Sequence, residues 1–369
     1  MRTATGLVLE NPRRLQQRSF ELPQVGPTDG ILRIEACGLC GTDHEQYTGH
    51  IRSAHCFVPG HEVVGVVEEL GDHASERWGV SVGQRVAVEV FQSCRDCEQC
   101  KAGIYRRCET NGMATMVGFV DADKPPGLGG GYATHLYLGP DSMLLAVPDG
   151  LDAVTATLFN PLGAGIRWAA ELPETAVGDV VAILGPGIRG LCAAMAAKEA
   201  GASFVMLTGL GDRDAERLSI ASQFGVDLVV DVAEEEPGRA LRRVLGRKAD
   251  VVVDVTAKAP AALAQAVNLA RPGGTIVLAG TRGGTTETPG FDPDHIVYKE
   301  LRLIGALGVD VGAYRKALDM LVLNRYPFGE LPRTVAGFDD LERLIQIMAG
   351  ERPGIPPVHG VFVPDSTQS

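Results

Sequence analysis

The second half of the chain alternates short apolar runs with helix-forming segments, and this alternation restricts the possible folds more than any other feature. The first run, DVVAILG at 179–185, is continuously apolar, as expected for a strand buried on both faces of a parallel sheet. A strong helix former, LCAAMAAKEAG at 191–201, follows it and ends in glycine. The alternation continues to GTIVLAG at 274–280. Such a series with short connections predicts a doubly wound α/β domain.

A glycine-rich turn joins the first strand of this series to its first helix. The stretch LGPGIRG places Gly185, Gly187 and Gly190 in a G-x-G-x-x-G pattern. Between a strand and a helix, these glycines let the backbone approach a pyrophosphate at the helix N-terminus, so the turn predicts NAD(P) binding. Ile188 and Arg189 lie in the same turn and are further candidate cofactor contacts. Arg189 either reaches a phosphate or points outward.

The end of the second strand bears on the choice between NAD and NADP. An acidic residue there usually binds the ribose hydroxyls, but SFVMLTG ends at Gly209. Without that acid a 2′-phosphate is not repelled, and Arg213 or Arg217 can pair with one. Asp212, in the segment that follows, would instead favour NAD. The prediction is therefore NAD(P), with Gly209, Asp212 and Arg213 as candidate contacts.

The first half of the chain has a different pattern. GILRIEAC, HEVVGVVEEL and QRVAVEV read as strands separated by turn residues, without regularly intervening helices. We therefore expect an antiparallel, barrel-like β unit. At 369 residues the chain exceeds what one hydrophobic core usually organises, so two domains are predicted.

Charge and hydropathy limit the kinds of partner. The net charge of −12 argues against a nucleic-acid binder, which usually presents a basic face. No apolar run approaches the ~20 residues of a membrane span, and the N-terminus lacks the apolar core of a signal peptide. We therefore expect a cytoplasmic protein with reduced thiols and a small-molecule substrate, with neither nucleic acid nor membrane as partner.

Four of the eight cysteines lie within fifteen residues, 94–108. Cys94, Cys97, Cys100 and Cys108 follow the spacing C-x2-C-x2-C-x7-C, which lets four thiolates converge on one tetrahedral zinc. Four protein ligands leave no open position, so this zinc should be structural. The alternatives are four unrelated thiols, two disulfides, or a nucleic-acid-binding zinc ribbon that the acidic composition disfavours.

A second set of metal-ligand residues is spread over two strand ends. Cys40 follows a strand, and His61 and Glu62 stand about twenty residues later at the start of another. A thiolate and an imidazole from different strand ends can share a zinc that keeps a position open for substrate. Taken singly, each residue is a weak signal, because a lone cysteine or histidine is more often buried and inert.

Taken in order, the motifs resemble those of the zinc-containing medium-chain dehydrogenase/reductase family, with its alcohol and polyol dehydrogenases. They are CGTD (40–43), GHE (60–62), the cysteine stretch, the glycine-rich βαβ domain and the KEL of YKELRLIGALG (298–308). The resemblance covers essentially the whole chain. It implies a GroES-like β-barrel catalytic domain at 1–160 with a zinc lobe at 94–108, a Rossmann NAD(P)-binding domain at 161–306, and a C-terminal segment, 307–369, that returns to the first domain.

The resemblance also implies roles for individual residues. Cys40 and His61 match catalytic zinc ligands, and Thr42 matches the residue that exchanges the alcohol proton. Asp43 would lie behind the ligands. Glu62 matches a carboxylate that approaches the metal or replaces a ligand in some members.

Two positions depart from the family pattern. Relatives place Cys, Asp or Glu as third ligand where FNPLGAGIRW has Asn160, and an amide oxygen is a poor zinc ligand. Either Asn160 coordinates weakly, Glu62 takes its place, or the zinc is weakly held; we favour Glu62. Relatives often carry a proton-relay histidine three residues after the Thr, where this chain has Glu45. Either Glu45 or the preceding His44 relays the proton, or both are loop residues.

The activity implied is reversible hydride transfer between an alcohol or polyol and NAD(P), giving a ketone or aldehyde. A homo-oligomer, tetramer or dimer, is also implied. Two alternatives stay open at this point: a zinc-independent NAD(P)H reductase of enones or quinones on the same fold, and a non-enzymatic binding protein.

Overall fold

The computed structural model describes residues 2–257, 259–281 and 287–364, which divide into two compact units. The first unit contains the described residues up to Phe159, together with Leu318–Asn324 and those from Phe328 onward. The second contains the described residues of Asn160–Ala317 together with Arg325–Pro327. Within the described part of the chain, every helix is too short or too polar to be a membrane span.

Strands and helices alternate differently in the two halves of the chain. The strands are β1 Thr3–Asn11, β2 Arg14–Glu21, β3 Gly30–Leu39, β4 Glu62–Leu70, β5 Arg85–Val88, β6 His135–Leu138, β7 Leu144–Ala146, β8 Val180–Leu184, β9 Phe204–Gly209, β10 Leu228–Asp231, β11 Ala249–Asp254, β12 Ala270–Leu278, β13 Arg302–Gly305, β14 Arg333–Ala336 and β15 His359–Phe362. The α-helices are α1 Gly41–Thr48, α2 Asp72–Trp78, α3 Glu98–Lys101, α4 Ala153–Ala156, α5 Phe159–Ile166, α6 Ile188–Glu199, α7 Gly211–Ser219, α8 Pro237–Leu245, α9 Ala262–Leu269, α10 Asp294–Tyr298, α11 Val311–Leu323 and α12 Leu341–Ala349. Short 3-10 turns lie at Tyr105–Arg107, Ala221–Phe224 and Phe328–Glu330, and a π-helical turn at Arg167–Glu171.

The first unit is mainly antiparallel. β1 and β2 form a two-stranded ribbon, and a seven-stranded sheet has the order β14-β15-β3-β4-β5-β7, with β6 also paired to β3. Only β14 and β15 pair in parallel among these strands of the described chain. Buried aliphatic and aromatic side chains from both sheets fill its core. The antiparallel β unit predicted for the first half is confirmed.

The second unit contains a six-stranded sheet in which all the pairings are parallel. Its order, β10-β9-β8-β11-β12-β13, is the 3-2-1-4-5-6 order of dinucleotide-binding doubly wound folds. Every residue of β8 is buried, which explains the unbroken apolar run that predicted it. The doubly wound α/β prediction is confirmed.

The last described strand, β15, belongs to the first unit's sheet. β15 pairs antiparallel with β3, the strand that leads to Cys40. His359, the first residue of β15, is buried; its Nε2 lies 3.0 Å from Thr157 Oγ1, and Arg333 Nε donates a hydrogen bond to its Nδ1. Burial, reinforced by the charge of Arg333, lowers the pKa of His359 to about 3. This histidine is therefore neutral and part of the structure at ordinary pH.

Candidate active site

Cys40 stands at the junction where β3 ends and α1 begins, and it caps the helix. The backbone N–H of Thr42 donates to Cys40 Sγ at 3.3 Å, and the Cys40 N–H donates to Asp43 Oδ2 at 2.7 Å. A sulfur that accepts from an N-terminal amide of a helix is in an environment that favours the thiolate. The helix start thus fixes the direction of the thiol.

His61 and Glu62 reach the same place from the start of β4. β3 and β4 pair antiparallel with Gly38 opposite Glu62, so the end of one strand lies beside the beginning of the other. Cys40 Sγ lies 3.2 Å from His61 Nε2. One ligand atom from each of Cys40, His61 and Glu62 lies within 4.8 Å of the other two, and all three side chains are buried. The structure brings together the three residues that we favoured as catalytic zinc ligands.

Two neighbouring residues support this arrangement. A side chain at Gly38 would collide with the Glu62 carboxylate, so the glycine keeps the space that the carboxylate occupies. Asp43 Oδ1 lies 3.8 Å from His61 Nδ1, and neither buried atom has a hydrogen-bond partner. A carboxylate behind one ring nitrogen, with the other nitrogen facing a thiol, is the usual surrounding of a histidine metal ligand. The donor set of sulfur, imidazole and carboxylate fits zinc.

The predicted proton-transfer residues lie on the first turns of α1. Thr42 is half-buried and follows Cys40 by two residues. His44 is half-buried, with its imidazole beside Gly41, whereas Glu45 is only 3% exposed. Of the two relay candidates, His44 is therefore the one with access to solvent.

Asn160 is engaged at both ends of its amide within the second unit. Its Nδ2 donates to the hydroxyl of Tyr314 at 2.9 Å, and its Oδ1 accepts from Arg189 Nη2 at 2.8 Å. The oxygen that would bind zinc is thus occupied by a guanidinium. This arrangement favours Glu62 over Asn160 as the third ligand.

The four-cysteine lobe, residues 94–108, brings its sulfurs together. Sγ atoms of Cys94, Cys97, Cys100 and Cys108 all lie within 4.8 Å of one another. None of the eight cysteines, all within the described residues, forms a disulfide, so the disulfide alternative is wrong. The cluster fits a structural zinc site of four thiolates.

Backbone N–H groups in the lobe donate hydrogen bonds to the cysteine sulfurs, which favours the thiolate form. The Cys97 N–H donates to Cys94 Sγ and the Asn111 N–H donates to Cys108 Sγ, each at 3.4 Å. Backbone N–H groups of Cys97 and Asp96 lower the pKa of Cys94 to about 6, while burial raises the pKa of Cys100 to about 11. The lobe therefore offers thiolates of unequal basicity, and a bound cation would favour ionisation of all four.

The glycine-rich turn has the geometry expected for a dinucleotide. Gly185 has φ of 106°, which allows the tight turn, and a side chain at Gly190 would collide with the Gly185 carbonyl. A Cβ at Gly187 would meet nothing within 4 Å, so the chain is open to an approaching ligand just before α6. These are the three roles that glycines play in a pyrophosphate-binding turn, and the turn fits NAD(P).

The first turns of α7 contain a buried acid, Asp214, that the sequence pattern did not reveal. Asp212 and Arg213 are exposed in the first turn of α7, directly after Gly209 ends β9. Asp214 is buried, accepts from the Leu210 N–H at 3.0 Å and pairs with Arg217 at 2.9 Å. Because Arg217 is bound there, Arg213 is the better candidate for a 2′-phosphate. Only the position of Asp214, four residues after Leu210 at a helix start, signals its capping role.

Comparison with known proteins agrees with this geometry. The profile of the alcohol dehydrogenase GroES-like domain matches residues 26–149, and that of zinc-binding dehydrogenases matches residues 190–322. A "Probable alcohol dehydrogenase" of Mycobacterium tuberculosis (strain H37Rv) is 62% identical over 358 residues, covering 97% of this chain and 98% of the relative. Sorbitol dehydrogenase of Bacillus subtilis is 29% identical and covers 74% of each chain.

Solved structures show the same fold. A putative zinc-binding dehydrogenase from Sinorhizobium meliloti, bound to NADP, superimposes with a TM-score of 0.83 at 25% identity over 99% of this chain and 100% of that one. An alcohol dehydrogenase from Thermotoga maritima gives 0.85 at 22% identity, with coverage of 99% and 100%.

Fold, metal-ligand clusters and relatives together define a class, the zinc-dependent oxidoreductases of alcohols. The chain belongs to the zinc-containing medium-chain dehydrogenase/reductase family. It is an NAD(P)-dependent enzyme of the alcohol dehydrogenase type with a small-molecule substrate, and the predicted fold class and cofactors, zinc and NAD(P), are confirmed. These findings favour this activity over the zinc-independent reductase and the binding protein.

Proposed function

We propose that the chain interconverts an alcohol or polyol and the corresponding ketone or aldehyde with NAD(P), using a catalytic zinc held by Cys40, His61 and Glu62. The observation that carries this proposal is the 3.2 Å approach of Cys40 Sγ to His61 Nε2, with Glu62 within ligand reach. These three residues would hold a zinc that, when bound, would supply Lewis-acid polarisation of the substrate oxygen.

The residues around this cluster provide the other functions. The Thr42 hydroxyl accepts the alcohol proton during oxidation and returns it during reduction, and His44 passes it to solvent. Asp43 orients the His61 ring through its Nδ1 side. The glycine turn before α6 binds the pyrophosphate of the dinucleotide through backbone N–H groups, which places the nicotinamide for hydride transfer.

Relatives support both substrate classes. The M. tuberculosis relative is named an alcohol dehydrogenase, whereas relatives at 27–29% identity are named sorbitol and erythritol/L-threitol dehydrogenases. We further propose the domain layout 1–160, 161–306 and 307–369, a cytoplasmic location and a tetrameric or dimeric assembly. The pairing of β15 with β3 supports the return of the last segment.

Metal analysis and an alcohol panel test the proposal. We expect two zincs per chain and turnover of alcohols or polyols rather than enones. Cys40→Ala should leave one zinc per chain and reduce kcat by about 10³-fold or more, with dinucleotide affinity unchanged. Cys37→Ala, which removes a buried thiol from β3, the strand that leads to Cys40, should keep both zincs and the wild-type rate. Wild-type turnover by Cys40→Ala would refute the assignment.

A further inference from the structure

Four side chains of the second unit form a connected cluster around Asn160. Asn160 links the Tyr314 hydroxyl, through Nδ2 at 2.9 Å, to the Arg189 guanidinium, through Oδ1 at 2.8 Å. The Arg189 guanidinium carbon lies 5.4 Å from the centre of the Trp168 ring, in cation–π range. Trp168 Nε1 donates in turn to the Gly308 carbonyl at 3.1 Å. We call Tyr314, Asn160, Arg189 and Trp168 the arginine clamp.

The clamp has a defined orientation. Tyr314, Asn160 and Trp168 are buried, so their hydrogen bonds are shielded from water. Because the Asn160 amide donates to the tyrosine hydroxyl, its oxygen must face the other way, towards Arg189. An asparagine offers both a donor and an acceptor, and this position uses both. The residue type that makes Asn160 a poor zinc ligand is thus well suited to holding an arginine.

Arg189 is the second residue of α6 and directly follows the open glycine turn at Gly187 and Ile188. This is the helix end where the proposed function places the pyrophosphate. A free arginine side chain loses considerable rotamer entropy when it is ordered, whereas one already fixed loses little on ligand binding. The clamp therefore keeps a positive charge ordered beside the dinucleotide turn.

We propose that Asn160 is a positioning residue for the dinucleotide rather than a zinc ligand, and that it acts by orienting Arg189 at the glycine turn. This inference rests on the proposed function for dinucleotide binding. It assigns to the departure from the family pattern at residue 160 a role in cofactor affinity.

The test measures dinucleotide affinity and zinc content separately on the zinc-loaded enzyme. NADH and NADPH affinities come from fluorescence titration, and zinc per chain comes from elemental analysis. Asn160→Ala should raise both dissociation constants about fivefold to tenfold, because a hydrogen bond to a charged group is lost, and should leave two zincs per chain. Arg189→Ala should have a similar effect. The double variant should bind no more weakly than Arg189→Ala, because the two residues act through one contact.

Conservative variants guard against simple misfolding. Asn160→Asp keeps an acceptor for Arg189 and should bind within about twofold of wild type, while Tyr314→Phe removes one anchor and should weaken binding about twofold to threefold. Loss of one zinc in Asn160→Ala would identify a ligand and overturn the inference. Unchanged dissociation constants in Asn160→Ala or Arg189→Ala would overturn it as well. Failure to turn over any alcohol, with these binding effects intact, would count against the proposed function alone.

Discussion

Two metal-ligand clusters of the first unit, the four-cysteine lobe and the cluster of Cys40, His61 and Glu62, are built in opposite ways. The four-cysteine lobe takes all its ligands from one stretch, 94–108, and offers only sulfur. The second cluster joins Cys40 to His61 and Glu62 across two strands and offers sulfur, nitrogen and oxygen. A cluster whose ligands all come from one stretch can bind a metal and cross-link its loop independently of how the sheet is paired. The cluster of Cys40, His61 and Glu62 instead depends on the register of β3 against β4. The lobe is therefore specified by one short stretch of sequence, whereas the second cluster forms only when β3 and β4 pair.

The two clusters also differ in how deeply their ligand side chains are buried. Cys94, Cys97 and Cys100 are only half-buried, whereas Cys40, His61 and Glu62 are 4%, 6% and 1% exposed. A thiolate and a carboxylate buried side by side carry a high desolvation cost unless a cation compensates them. Four ligands complete the coordination of zinc, but three leave a position for substrate. These differences support the proposal that the buried cluster is the catalytic one.

The largest effect that separates the clusters should come from breaking the lobe. Cys97→Ser should remove one zinc per chain and lower the free energy of unfolding by about 3 kcal/mol, because the lobe loses its metal cross-link. Thermal unfolding and elemental analysis measure both effects. Cys192→Ala, at a buried thiol of the second unit, should keep both zincs. If Cys97→Ser loses zinc yet melts at the wild-type temperature, the lobe does not stabilise the fold.

Next in size should be removal of the Glu62 charge. Glu62→Gln keeps the side chain's size but replaces a carboxylate by an amide, so zinc affinity at the buried cluster should fall about 10- to 100-fold. Competition with a chromophoric chelator measures the weaker zinc, and the lobe zinc should not change. Glu69→Gln, at the other end of β4, is the matched control. Equal affinities in Glu62→Gln and wild type would show that Glu62 is not a ligand.

Features that lie within one short stretch of sequence could be predicted directly, whereas features formed by residues from distant stretches could not. The lobe, the glycine turn and the buried strand β8 are each encoded in one short stretch, since spacing or an apolar run is sufficient. Cys40 and His61 were predicted as zinc ligands only from the order of several motifs. Their 3.2 Å separation depends on the register of two strands, which no single stretch specifies.

The failure to predict the remaining features also has physical reasons. β2, RLQQRSFE, is mostly polar and exposed, so it lacks the apolar alternation that marks a strand; its pairing with β1 supplies the stability. In the sequence, Asp214 is one of several charged residues of α7, and only the folded structure shows that it is buried. The contact between Asn160 and Arg189 joins residues 29 positions apart, which is beyond any local pattern.

Acid should reveal a contribution to stability that is independent of both metals. The pKa of His359 is about 3 in the folded chain and about 6.5 in the unfolded one, so between these values the unfolded state binds more protons. Stability should therefore fall as pH drops below about 6.5, by about 2 kcal/mol at pH 5. Urea unfolding at pH 7 and pH 5 measures this fall.

His359→Gln lacks the titrating ring, so its loss between the two pH values should be smaller by about that amount. Zinc release from the thiolates also follows acidification, but it affects both proteins and cancels in the difference. Equal losses in the variant and wild type would show that His359 does not titrate as its burial between Thr157 and Arg333 requires.

The smallest effects should lie at the exposed start of α7, where side chains are solvated. Asp212→Ala removes a negative charge near the expected 2′-phosphate and should raise the ratio of kcat/KM for NADP over NAD about threefold, whereas Arg213→Ala should lower it by a similar factor. Glu216→Ala, exposed on the same helix, is the control. Because screening weakens exposed charges, both shifts should shrink at high salt, whereas the loss caused by Glu62→Gln in the buried cluster should persist. Unequal salt responses of this kind would distinguish the solvated site from the buried one, and a salt-independent change in Asp212→Ala would contradict an electrostatic role.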